Sequence, residues 1–198
     1  MKKTFNAIIL LLFLTLTIAV LPTDAEAGIY NDTIRLHILA NSDKEEDQQL
    51  KLKIRNKVLE KYSNELKYCE NIEDAQVLFK SILPQLKKDC EDWVKELGYD
   101  YSIRCELSEE WYETRDYESF SLPCGYYKSL RIIIGNGNGK NWWCVMYPPL
   151  CTSLATEKAP CDDTLINYTK EEILLIENGG YNIKFKSLEL ISKLFSKK

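Results

Sequence analysis

The spacing of apolar positions changes several times along this chain, and each change marks a new element. From Thr33 to Ala40 the alternation is strict, with Ile34, Leu36, Ile38 and Ala40 on one face and Arg35, His37 and Leu39 on the other. That pattern predicts a half-buried strand. Asn41-Ser42-Asp43 then offers helix-capping oxygens, and Glu45 and Glu46 stand where the positive first turn of a helix would favour them. Leu50, Ile54, Val58 and Tyr62 recur every four residues, while Leu52 and Leu59 fall on another face, so this helix is covered on more than one side. Ile72 to Leu97 repeats apolar residues at three- and four-residue steps, which predicts a long amphipathic helix, kinked at Pro84 and stopped by Gly98. Beyond Tyr101 the period falls to two. Strands are expected at Ser102 to Leu107, Trp111 to Phe120, Tyr126 to Ile134 and Trp142 to Tyr147, punctuated by Pro123-Cys124-Gly125 and the Gly135 to Gly139 run. They read as a three- or four-stranded antiparallel meander. Thr169-Lys170-Glu171-Glu172 fits a capping box before Ile173, Leu174 and Ile176, and after Gly179-Gly180 come a short strand, Tyr181 to Phe185, and a last helix, Ser187 to Phe195. The fold class expected is α+β, a single domain with an antiparallel sheet packed against two or three amphipathic helices.

The N-terminus adds a different kind of segment. Met1-Lys2-Lys3 precedes an uncharged apolar run from Ala7 to Leu21, followed by Pro22 and by Ala25-Glu26-Ala27 before Gly28, the layout of a secretory signal peptide. As a helix the apolar run would span roughly 22 Å, short of a hydrocarbon core of about 30 Å. A signal peptide over residues 1–27 and an exported domain over 28–198 follow. A chain of 198 residues that is 45% hydrophobic supports one core rather than two, and its net charge of −4 argues against nucleic acid as a partner. Export also changes the reading of the seven cysteines, an odd number that leaves at least one unpaired within the chain. Cys144 and Cys151 flank Pro148-Pro149, a turn able to bring them within bridging range, and closing that loop would contribute about 2.5 kcal/mol. The remaining connectivity stays open. With no Cys-x-x-Cys and a single histidine, a zinc site is disfavoured, and no metal or cofactor is expected.

Catalytic groups are scarce. The one imidazole, His37, sits in mid-strand, where a hydrogen-bonded structural ring is the plainer reading and a Cys-His enzyme the sharper one. Glu109, Glu110, Glu113, Asp116 and Glu118 offer carboxylates for acid/base chemistry of the glycosidase type, against the plainer reading of a solvated face. The run Gly135 to Lys140 lacks the spacing and the Ser or Thr of a phosphate loop, and reads instead as a glycine-rich hairpin. Trp142 and Trp143 are adjacent on a strand and must point to opposite faces, so at most one of them belongs to the main core. The other, beside a rigid Pro148-Pro149 turn, is either packed elsewhere or part of a protein-docking edge.

The residues Ile34-Arg35-Leu36-His37-Ile38-Leu39-Ala40-Asn41-Ser42-Asp43, with Asp47-Gln48 and Leu50-Lys51-Leu52-Lys53, form one block of a pattern. Leu122-Pro123-Cys124-Gly125, Leu130-Arg131-Ile132 and the segment from Asn141-Trp142-Trp143-Cys144 to Pro148-Pro149-Leu150-Cys151 form the rest. Together they resemble the stage II sporulation protein R family. The resemblance implies a secreted signalling protein, exported from the forespore into the intermembrane space of the sporulation septum. Its implied partner is a membrane-embedded aspartic-type protease of the mother cell, of the stage II sporulation protein GA type, which then cleaves the pro-sigma-E factor. On that reading the chain is not an enzyme, and it meets the membrane only through its partner or its signal segment. The expected docking residues are Asn41, Ser42 and Asp43 at the strand–helix corner, Gly137, Asn141, Trp142 and Trp143 in the glycine loop and following strand, and Pro148 and Pro149. Helix capping is the competing role for Asn41, Ser42 and Asp43. The alternatives are an exported cell-wall hydrolase working through the acidic cluster and a structural protein of the septal space.

Overall fold

The computed structural model describes residues 2–19, 23–66, 68–117, 120–150 and 168–178. In order along the chain these form α1 (Lys2–Ala19), α2 (Asp24–Asn31), β1 (Ile34–Leu39), α3 (Glu45–Leu66), α4 (Ile72–Glu96), β2 (Ile103–Tyr112) and β3 (Arg115–Asp116). β4 (Ser121–Leu122), β5 (Gly125–Ile134), β6 (Asn141–Tyr147) and α5 (Lys170–Asn178) follow. The α+β class holds. The expected strand at Tyr181 to Phe185, the expected helix at Ser187 to Phe195, Cys151 and Cys161 lie outside the described residues.

The sheet is not a meander. Its order is β2-β5-β1-β6, with β1 inserted between β5 and β6, parallel to the first and antiparallel to the second. Only β2 and β5 pair as antiparallel neighbours in the way the sequence predicts, and β2 runs from the first expected strand into the start of the second, which breaks off at Tyr112 before the short β3. Alternation along each strand names the faces but not the neighbours, so a strand far back in the sequence can take the central place. β1 is also more than half-buried. Ile34, Leu36 and Ile38 point into the core beneath α3 and α4, where they meet Leu130, Ile132 and Ile134 of β5 and Leu50, Ile54, Phe79 and Leu86 of the helices. Arg35 and His37, on the opposite face, are buried as well.

That second face carries a smaller core. Ile29 of α2, Tyr112, Leu122, Tyr127, Val145, Tyr168 and Ile176 of α5 pack together there. The predicted capping box at the start of α5 is present: Glu172 N donates to Thr169 Oγ1 at 3.3 Å and Thr169 N donates to the Glu172 carboxylate at 2.7 Å. α4 runs through Pro84, begins at the Asn71 cap and ends just before Gly98, which takes a φ of 85°. Among the described cysteines, Cys69, Cys90, Cys105 and Cys124 are free thiols.

Since β1 lies between β5 and β6, the glycine-rich run closes over the end of β1 instead of forming a tight hairpin. Gly139 N donates to Ala40 O at 2.9 Å, and Asn136 N donates to Asn41 Oδ1 at 3.0 Å. Gly137, at φ 67°, adopts the left-handed backbone that other residues resist. Gly139 is required for a different reason: a Cβ there would stand 2.2 Å from the carbonyl oxygen of Ser42, a backbone atom. Gly139→Ala is therefore expected to cost about 2 kcal/mol or more in thermal unfolding. Gly98→Ala, strained in φ but meeting nothing within 4 Å, should cost about 1 kcal/mol.

Candidate functional site

The face of the sheet away from α3 and α4 is half apolar and half polar. Register places His37 of β1 beside Arg131 of β5 and Trp143 of β6, and places Glu110 of β2 beside Tyr127 of β5. The residues of this face converge on Glu110. His37 Nδ1 lies 3.0 Å from Glu110 Oε2, Arg131 Nε lies 2.8 Å from Glu110 Oε1, and the Tyr112 hydroxyl donates to Oε2 at 3.2 Å. Burial pushes the Glu110 carboxyl up, but hydrogen bonds from His37 and Ser129 and the charges of His37 and Arg131 outweigh it and hold the group below the usual glutamate range. An ionised carboxylate only accepts, so the proton of the His37–Glu110 bond resides on Nδ1. The other ring nitrogen, Nε2, is buried with no hydrogen-bond partner among the described residues.

A cavity of about 490 Å³ opens beside this cluster, lined among others by His37, Glu110, Tyr112, Arg115, Asn141 and Trp143. It falls within the size range of ligand and side-chain pockets. Arg115 lies with its guanidinium 4.2 Å from the centre of the Trp143 ring, and His37 sits 5.6 Å from that ring on the inner side. Trp111 stands at the rim, 57% exposed, with Tyr126 edge-on to it at 5.1 Å. Deeper in the same face, Arg35 is fully buried between Tyr112 and Tyr127, its guanidinium 4.0 and 4.9 Å from the two ring centres, and it donates to the Tyr117 hydroxyl at 2.9 Å. These contacts hold Tyr112, which lines the cavity, with cation–π and hydrogen-bonded partners behind it.

The expected docking residues divide. Asn141 and Trp143 come together in the cavity wall. Trp142 points the opposite way, against the helix-side core, with Arg55 over its ring at 4.9 Å. Asn41 and Ser42 donate to Asp47 at 2.9 and 2.5 Å, and Asp43 accepts from Lys140 N at 2.7 Å, so this corner fastens α3 and the glycine loop together. Gly137 serves the turn of that loop, Pro148 is buried and offers no surface, and Pro149 is half-buried. Cys144 is buried in the helix-side core, while Cys151 lies outside the described residues. The acidic cluster is not uniformly solvated: Glu109, Glu113 and Asp116 are exposed, but Glu110 is drawn into the ion-paired centre, because its side chain faces the buried His37. Arg115 and Trp111 carried no signal of their own in the sequence, and His37 gained its partner only through the pairing of β1 and β2 with β5.

What the geometry defines is a two-sided α+β domain with a ligand-sized, aromatic-walled cavity on the sheet face opposite its two long helices. Residues 30–157 match the family described as Stage II sporulation protein R (spore_II_R), and the chain is 34% identical over 187 residues to Stage II sporulation protein R of Bacillus subtilis (strain 168). That alignment covers 85% of this chain and 84% of the relative. The chain belongs to the stage II sporulation protein R family. No solved structure matches it.

Proposed function

We propose that this chain is an exported signalling protein of sporulation that activates a membrane-embedded aspartic protease of the mother cell, and that the protease then processes pro-sigma-E. The observation that carries the reading is membership of the family over most of the chain, joined to a rigid aromatic cavity suited to a protein partner. Trp143, backed by Arg115 and His37, is the kind of stiff, amphipathic anchor that dominates protein interfaces. A ligand activates a protease only by binding its active arrangement more tightly than its inactive one, so the docking energy at this cavity sets how far the equilibrium moves. We further propose that Cys144 and Cys151 are bridged in the exported protein, tying the middle of β6 to the chain that follows. No described helix is long and apolar enough to cross a membrane, and the apolar run within α1 serves as the export signal in this reading.

The hydrolase alternative is the weaker of the two. A glycosidase general acid needs a raised pKa, and Glu110 is held ionised by His37 and Arg131. The test is cleavage of pro-sigma-E in a non-sporulating host that makes the mother-cell protease, with this protein exported, retained inside, or absent. Processing only in the exported case supports the activator. Background processing in all three, with every protein present and correctly located, sinks it.

A further inference from the structure

Glu172 is a buried carboxylate, 4% exposed, and among the described residues no Lys or Arg forms an ion pair with it. One of its oxygens, Oε2, accepts the Thr169 amide of its own capping box. The other, Oε1, points at α2: it lies 1.8 Å from where a Cβ on Gly28 would stand. Cβ and the amide nitrogen of one residue are about 2.5 Å apart by standard bond lengths and angles, which puts the Gly28 nitrogen within roughly 4.3 Å of that oxygen. The surroundings are short of positive charge. Asp32, one turn further on, has its carboxyl raised by burial and then by Glu172 and Glu73, with Lys128 the opposing cation. A buried carboxylate in such a place is stabilised strongly by a cation delivered next to it.

The same glycine follows the Ala25-Glu26-Ala27 triplet. Before that point Ala25 packs against the second core and Thr23 is buried; beyond it Ile29 is fully buried, the Tyr30 hydroxyl donates to Cys124 O at 2.9 Å, and the Tyr30 ring meets Tyr127 edge-on at 5.2 Å. Asp24 is exposed and Ala25, Glu26 and Ala27 are half-buried.

We propose that maturation itself supplies the missing cation: removal of the signal segment after Ala27 leaves Gly28 as the N-terminal residue, and its α-ammonium pairs with the Glu172 carboxylate, pinning the remaining turn of α2 to α5. The inference rests on the export reading above. The step is a hydrolysis by an exported-protein peptidase, in which water gives its hydroxyl to the Ala27 carbonyl carbon and a proton to the Gly28 nitrogen. A further proton from solvent makes that nitrogen cationic. A side chain at position 28 would meet the Glu172 carboxylate and turn its flexible end away from the nitrogen.

The experiment uses the full chain with a specific protease recognition sequence in place of residues 23–27, so that one cut frees the Gly28 amine. Thermal unfolding is followed before and after the cut, in the otherwise unchanged chain and in Glu172→Gln. The cut is expected to raise the melting temperature by about 3 °C or more, and to raise it not at all in Glu172→Gln. The α-ammonium of Gly28, followed by NMR of ¹⁵N-glycine, should titrate above the usual value of about 8, and return towards it in Glu172→Gln. Glu172 is the carboxylate that faces Gly28, and the neighbouring Asp32 feels Glu172, Glu73 and Lys128 in turn. Equal melting before and after the cut in the unchanged chain, or an unshifted titration, overturns the pairing, and neither readout depends on the variant folding. N-terminal sequencing of the exported protein is a separate arm: a start at Gly28 supports the maturation step, and a start elsewhere removes it without touching the pairing measurement.

Discussion

Trp143→Ala is expected to lower pro-sigma-E processing by about thirtyfold in the reconstituted host, while Trp142→Ala should lower it only in proportion to the protein lost. Truncating an anchoring tryptophan at an interface typically removes about 2 kcal/mol or more of binding energy, which sets the size of the first effect. The two residues are neighbours in sequence and lie on opposite faces of the sheet, each half-buried against a different core. Trp143 also lines the cavity beneath Arg115, whereas Trp142 sits under α3 and α4 with Arg55 across it. Trp142→Ala is therefore a packing defect, with an expected loss of about 3 kcal/mol in stability. Thermal unfolding of both purified variants separates the cases. Full processing by Trp143→Ala at normal levels of exported protein would remove the cavity from the docking surface.

The second large effect is on folding. Asp47 is 2% exposed and accepts hydrogen bonds from Asn41 and Ser42, with Tyr101 as a third donor. Burial alone would push its carboxyl up, but the bonds from Ser42, Asn41 and Tyr101 outweigh that and hold it below the usual aspartate range. Asp47→Ala leaves three donors unanswered at the corner that joins β1, α3 and the glycine loop, and is expected to cost about 3 kcal/mol. A carboxyl whose pKa is depressed on folding stabilises fully above its unfolded value of 3.8, and the contribution is lost as pH falls through the lower folded value. Glu110 and Asp89, the latter held down by Lys61, Tyr62 and Gln85 against the pull of burial, act in the same direction. Stability should thus fall steeply below about pH 4, and Asp47→Asn should make that acid limb shallower in thermal unfolding between pH 2 and 6.

Much of the architecture was legible because local chemistry dictates it. The capping box of Thr169 and Glu172, the run of α4 to Gly98, the alternation of β1 and the opposed faces of Trp142 and Trp143 all depend on neighbours within a few residues. The sheet order was not legible, since β1 pairs with residues about a hundred positions away and alternation is silent about which strand comes next. For the same reason the glycine run read as a hairpin, although it crosses the end of an intervening strand. Of the residues expected to dock, Asn141 and Trp143 line the cavity, while Asn41 and Ser42 bond to Asp47 and Asp43 accepts from Lys140 N at the strand–helix corner, contacts that sequence spacing does not reveal. Glu110 looked like one of several surface carboxylates until pairing with β5 carried it opposite His37.

Taken alone, the sequence determined the α+β class, the positions of the long helices and the family, because periodicity, capping and contiguous motifs are properties of short stretches of chain. Tertiary structure alone decided the central place of β1, the ionised Glu110 that fixes the His37 proton on Nδ1, the cavity under Arg115, and the approach of Glu172 to Gly28. Each of these is a meeting of groups distant in sequence, and their charge states and contacts exist only once burial has removed the water between them.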